Sequence, residues 1–189
     1  MIGIIDYRMG NLRSVQKAFE HVGAHADIVR APEQIDKLDK LMLPGVGAFA
    51  DGMMMLREMG YIEPLRAFVA SGKPFMGICL GMQLLFDGSQ EDAPSADQPV
   101  PGLGLVAGDV VQFTQPAEGE RIKIPHMGWN TLQFAGDMPL FAGVAEARPT
   151  QPISPRRRSI PWAVLSPRRC GGTIFLPPSS TPKSPSAWG

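Results

Sequence analysis

Cys79 stands in the stretch Lys73-Pro74-Phe75-Met76-Gly77-Ile78-Cys79-Leu80-Gly81-Met82-Gln83-Leu84-Leu85-Phe86, with a glycine two residues before it and another two after. Phe75 to Ile78 is a short apolar run that reads as a buried strand, and Met82 to Phe86 is an amphipathic run that reads as a helix. A nucleophile between a strand and a helix, flanked by glycines, is the pattern of the nucleophile elbow, here with cysteine in place of serine. A strand turning that sharply into a helix crowds the chain near the nucleophile, and Gly77 and Gly81 relieve the crowding. A sulfur at the start of a helix meets free N–H groups and the positive end of the dipole, which favour thiolate over thiol. The N–H of Leu80 then points to where an oxyanion forms on an attacked carbonyl. Free cysteine is also among the most buried residue types, so the motif alone leaves a core thiol as a second reading.

Other residues could join that chemistry. Leu43-Pro44-Gly45-Val46-Gly47-Ala48-Phe49 has two readings: a turn that ends a strand, or a loop of backbone N–H donors beside the nucleophile. Gln83 lies four residues after Cys79, on the same helical face, and is either a solvent-facing glutamine or a polar wall of a substrate pocket. His126 lies near Trp129 in Pro125-His126-Met127-Gly128-Trp129-Asn130, and a lone histidine there reads as structural or interfacial before it reads as an acid–base group. His21 and His25 fall at a helix end, Met53-Met54-Met55 reads as packing, and Arg156-Arg157-Arg158 reads as a solvated charge run.

The elements that must position Cys79 follow from hydrophobic spacing. Ile2–Ile5, Ala26–Val29 and Lys40–Leu43 read as strands. Asn11 is a good N-cap for a helix with Val15, Ala18, Phe19 and Val22 on one face, stopped by Gly23. A short helix follows Pro32, and the stretches 53–59 and 63–70 read as helical. Strand, helix, strand, helix, strand is the alternation of an α/β fold, a parallel sheet with helices on its faces. Such sheets carry their chemistry at the carboxyl ends of strands, where the Gly45 turn and the Cys79 elbow both fall. Asp87 to Pro101, with four acids, reads as an exposed loop, and 102–113 and 120–134 read as β segments broken by glycine.

The 189 residues suit one domain with a proper core, and the formal charge of zero gives no reason to expect nucleic acid or an acidic membrane as a partner. No apolar run approaches membrane-spanning length, and Met1 to Asp6 lacks the basic lead and cleavage site of an export signal, so a reduced cytoplasm is expected. Cys79 and Cys170 lie far apart in unlike surroundings and imply no disulfide. The averages hide an asymmetry. From Ala145 to Gly189 the only acid is Glu146, against six arginines and Lys183, and nine of the 19 prolines fall there. A boundary near Val144 therefore separates a patterned, acidic part, 1–144, from a basic, proline-rich tail, 145–189, to which no element is assigned.

Taken together, Ile5-Asp6-Tyr7-Arg8-Met9-Gly10-Asn11-Leu12-Arg13-Ser14-Val15, the Leu43–Phe49 loop, the Gly77–Phe86 motif and Pro125–Asn130 closely resemble one family, from Ile2 to about Val144. It is the family of glutamine amidotransferase subunits of imidazole glycerol phosphate synthase, in histidine biosynthesis. Sister class I amidotransferases and thiol stress proteins share an elbow but lack the Trp129 block. The resemblance implies a flavodoxin-like, class I amidotransferase-like fold and a cysteine–histidine–glutamate glutaminase without metal or other cofactor. It makes Cys79 the nucleophile, with Gly45, Val46, Gly47, Leu80 and Gln83 on the oxyanion and substrate side. Asn11, His126 and Trp129 fall to the interface with a cyclase subunit that receives the ammonia.

The tail departs from that family. Its catalytic histidine and glutamate should lie in a Phe-His-Pro-Glu-Lys-Ser stretch near the C-terminus, preceded by His-Ser-Tyr, yet no histidine follows His126. Ser179 to Pro185 can be encoded by AGT TCC ACC CCG AAA AGT CCG. Read from its third base, that string gives TTC CAC CCC GAA AAG TCC, which is Phe-His-Pro-Glu-Lys-Ser. The tail is therefore expected to be a translated reading-frame error, poorly ordered or mis-formed. The chain is then an impaired glutaminase, or alternatively a pseudo-enzyme that docks a cyclase and makes no ammonia.

Overall fold

Short apolar tetrapeptides set the frame. Ile2–Ile5 (β1), Ala26–Val29 (β2), Lys40–Leu43 (β3) and Phe75–Ile78 (β4) form parallel strands. Phe86–Ser89 (β5), Val100–Pro101 (β6) and Val106–Gln112 (β7) follow, β5 pairing antiparallel with β6 and parallel with β7. Trp162–Val164 (β8) and Thr173–Leu176 (β9) are strands in the tail. The main sheet has the order β2-β1-β3-β4-β9, with β9 antiparallel to β4. The computed structural model describes residues 1–91, 93–95, 98–112, 162–164 and 173–176. The chain forms two compact units, one of residues 1–111 with 164–189, the other of residues 112–163, and the main sheet belongs to the first.

Alternation along the strands divides the core. Ile4, Ala26 and Met42 are buried on one face, where Ile2, Met76 and Ile78 join them against Leu12, Val15 and Phe19 of the helix Leu12–His21 (α1). Ile5, Leu41, Leu43 and Phe75 alternate onto the other face and are all buried. The helices Phe49–Glu58 (α2) and Ile62–Ala70 (α3) bury Phe49, Met53, Leu56, Leu65, Phe68 and Val69. A 3-10 helix at Pro32–Lys37 packs on α3, and Leu38 just after it lies over Gly3, where any side chain would collide with it. The Tyr61 hydroxyl, fully buried, donates to the Val29 carbonyl at 3.1 Å. Burial first, then the charges of Asp6 and Glu33, push its phenol up to about 12.

Helix ends match their sequence signals. The Asn11 side chain accepts the Ser14 N–H at 3.2 Å. Gly23 takes the left-handed φ of 76° that closes α1. Before Pro32, the Gln34 side-chain oxygen accepts the N–H groups of Arg30 and Ala31 at 2.8 and 3.0 Å. Among the described residues no helix is long and apolar enough to cross a membrane.

Three expectations are corrected. The helix after Cys79 is the single turn Leu80–Gln83 (α4), not a run to Phe86. Leu84, Leu85 and Phe86 are all fully buried, which no single helix face allows, and their carbonyls accept from Leu103, Val106 and Gly104 instead of from the next helical turn. The stretch 87–101 is not one exposed loop, since β5 and β6 lie in it and Ser89 is buried. Nor is the tail without elements. Thr173-Ile174-Phe175-Leu176, a run of β-branched, aromatic and aliphatic residues free of proline and charge, pairs with β4, and Trp162-Ala163-Val164 is a second such run. The boundary near Val144 and the β segment at 120–134 lie outside the described residues.

Replacing Asn11 with alanine should cost about 1 kcal/mol by loss of the α1 cap. A urea titration followed by circular dichroism should show a lower midpoint with an unchanged slope.

Candidate active site

Ile4, Met42 and Met76 lie side by side across β1, β3 and β4. Three residues further along each strand stand Tyr7, Gly45 and Cys79. The register thus delivers these positions together at the carboxyl edge of the sheet. In the strand order 2-1-3-4 the connections reverse between β1 and β3, and the crevice at such a switch point is where open α/β sheets bind ligands.

The elbow itself is strained. Cys79 has φ 54° and ψ −125°, and only Arg8 shares a positive φ with it among the described non-glycine residues. Its thiol is exposed. Gly77 is required because a Cβ there would stand 2.6 Å from the Gly81 carbonyl oxygen and 2.7 Å from the Met82 Cα. At Gly81 a Cβ would collide with the Leu43 carbonyl oxygen and come within 2.7 Å of its carbon. The amides of Met82 and Gln83 donate to the Cys79 carbonyl at 3.0 and 3.2 Å. Those of Leu80 and Gly81, in the first turn, have no acceptor within the helix and are the donors left for an oxyanion. Because α4 is one turn, these local N–H groups, rather than a long macrodipole, act on the sulfur.

Gly45 is brought against this turn. A Cβ on it would lie 2.7 Å from the Gly81 nitrogen and 2.8 Å from the Leu80 Cβ, and would collide with the Tyr7 hydroxyl. Val46 and Gly47 are exposed beyond it, Gly47 with φ 102° against the Met9 side chain. Gln83 is half-buried at the end of α4. Asn11 is exposed and caps α1. His126, Trp129 and Cys170 lie outside the described residues. His25 pairs with Asp27 at 3.0 Å on the exposed surface at the start of β2, away from the carboxyl edge.

Two participants are not singled out by the sequence. Glu91, read as a loop acid, accepts the Phe49 N–H at 3.0 Å and so caps α2 just after the Gly45 turn, while its own N–H donates to Ser89 Oγ at 3.0 Å. An acid at a helix start is a familiar signal, but these partners are too far apart in sequence for spacing to reveal. Tyr7 is fully buried, and its hydroxyl has no hydrogen-bond partner among the described residues. Burial, then the charge of Cys79, raises its pKa well above the usual phenol range, so it stays a neutral donor.

Two open surface clefts, one lined by Met53, Arg57, Ile62 and Arg66 and another by Arg13, Asp27, Arg30 and Lys37, include none of Tyr7, Gly45 and Cys79. No group of three or more potential metal ligands occurs among the described residues. A thiol on a strained turn, beside glycine-rich backbone donors, is suited to attack on a carbonyl carbon.

Comparison with known proteins bears on the carbonyl. The profile of the family described as glutamine amidotransferase class-I matches residues 3–150. Imidazole glycerol phosphate synthase subunit HisH of Sulfurimonas denitrificans is 51% identical over 146 residues, 77% of this chain and 68% of that protein. The subunit HisH of Geobacillus thermodenitrificans is 49% identical over 77% of this chain and 67% of its own length. That of Syntrophotalea carbinolica is 49% identical over 76% and 68%. With the elbow and its glycine-rich turn in place at the carboxyl edge of the sheet, the chain belongs to the class I glutamine amidotransferase family, among the relatives of HisH subunits.

Proposed function

We propose that the chain is a glutaminase subunit of imidazole glycerol phosphate synthase, acting in the cytoplasm beside a cyclase subunit. The observation that carries this reading is the elbow at Cys79, in register with the Gly45 turn and strained to present its sulfur. The Cys79 thiolate attacks the side-chain amide carbon of glutamine. The oxygen, now negative, is held by N–H groups of Leu80 and of the Gly45-Val46-Gly47 turn. The C–N bond breaks, the nitrogen takes a proton and leaves as ammonia, and water cleaves the remaining glutamyl thioester to glutamate. Gln83 walls the substrate pocket. Asn11, His126 and Trp129 face the cyclase, to which the ammonia passes.

Proton delivery is the weak link. No histidine follows His126, so the base and its carboxylate partner expected from the family are absent from this chain. A shifted reading frame over Ser179 to Pro185 would account for the loss. Ser180, Thr181, Pro182 and Lys183 overlap the displaced histidine and glutamate, and none replaces an imidazole. Losing a triad member lowers turnover roughly a thousand-fold or more. The same missing histidine favours a second reading, a subunit that docks the cyclase and releases no ammonia.

In a chain with the family's C-terminal motif restored, a chloroketone analogue of glutamine should alkylate Cys79 well before Cys170, as read by peptide mass spectrometry. Equal labelling of the two would remove Cys79 from its role. Gly45→Ala, whose Cβ would press on the Gly81 nitrogen and the Tyr7 hydroxyl, should slow that labelling roughly a hundred-fold by displacing the turn's N–H groups, and should lower the unfolding midpoint as well. Resequencing the locus around the Val144 codon should reveal the shifted frame. An intact frame, with normal glutamine-dependent ammonia release beside the cyclase, would refute the impairment.

A further inference from the structure

A buried hydroxyl without a partner is uncommon enough to need a reason. The Tyr7 phenol is completely enclosed, has no hydrogen-bond partner among the described residues, and touches the spot where Gly45, Leu80 and Gly81 converge. It is held there actively. Arg8, the next residue, takes a left-handed φ of 68°, and its N–H donates to the Asp6 carboxylate at 3.1 Å. Arg30 lies 3.8 Å from the other Asp6 oxygen. The turn after β1 is thus strained and pinned, and Tyr7 within it is fully buried.

We propose that Tyr7 is a positioning residue for the Gly45 turn. Its hydroxyl donates to a backbone carbonyl of that turn when the turn's N–H groups are drawn onto the oxygen of a carbonyl bound at Cys79. The pairing left open in the free chain is made in the loaded one, so its free energy favours the arrangement that stabilises the oxyanion. A phenylalanine fills the same buried volume and cannot donate. The inference rests on the glutaminase reading, because it needs a ligand whose carbonyl the turn must meet.

Tyr7→Phe and its parent, both full length and both carrying the restored C-terminal motif, test it with two electrophiles for Cys79. Iodoacetamide reports bare thiol reactivity. L-2-amino-4-oxo-5-chloropentanoate places a glutamine-like carbonyl at the site, where the thiolate forms a carbon–sulfur bond and chloride leaves. The variant should lose about tenfold in maximal inactivation rate with the chloroketone, the scale of one hydrogen bond, with its half-saturating concentration and its iodoacetamide rate within about twofold of the parent. An unchanged chloroketone rate would overturn the inference. So would a parallel fall with both reagents alongside a lowered unfolding midpoint, which marks a purely structural tyrosine. If the parent reacts with iodoacetamide but not with the chloroketone, the glutaminase reading itself fails and takes this inference with it.

Discussion

The Gly81 backbone sits where a side chain would overlap the Leu43 carbonyl, and the rest of the site depends on that contact. It brings the first turn of α4 onto the end of β3, so the two crossings of the sheet's carboxyl edge share one volume. Gly77 serves the same closeness from below, and Gly45 from the side. Each is the sole residue type that fits, and each lies within two residues of Cys79 or within two of the end of β3. Nothing larger is accommodated without moving β3 away from β4 and breaking the register that aligns Leu43 with Gly77.

That constraint also explains how the turn after β3 is held. Its start is fixed by β3 and by Gly45 against the elbow. Its end is fixed where Glu91 caps α2. Between them only Val46 and Gly47 are exposed. A loop with anchored ends and a short free middle has little room to move away from the elbow turn that Gly45 abuts. The brevity of α4 points the same way: charge at Cys79 is met by a few nearby amides rather than by the field of a long helix.

What the sequence makes legible, and what it hides, divides along physical lines. The β1 to β4 strands, α1 with its Asn11 cap, and the elbow are legible because each leaves a local mark: apolar runs, a capping side chain, glycines at fixed offsets. The length of α4 is not, because the apolar run Leu84-Leu85-Phe86 looks the same whether its carbonyls bond to the next helical turn or, as here, to the distant N–H groups of Leu103, Val106 and Gly104. Glu91 is hidden because its partner is far along the chain, and Tyr7 because nothing in Asp6-Tyr7-Arg8 indicates which way the ring turns. A strand at Thr173–Leu176 is visible as four β-formers, but not against the proline and arginine around it.

That last strand has a consequence for association. It pairs along β4, the strand that leads into Cys79, from Phe75 opposite Leu176 to Ile78 opposite Thr173. An uncovered edge of apolar strand is a template for pairing with another chain. Pairing with β9 makes β4 an interior strand, and among the described residues the open edge on that side of the sheet passes to the apolar run Thr173–Leu176, in the least patterned part of the sequence.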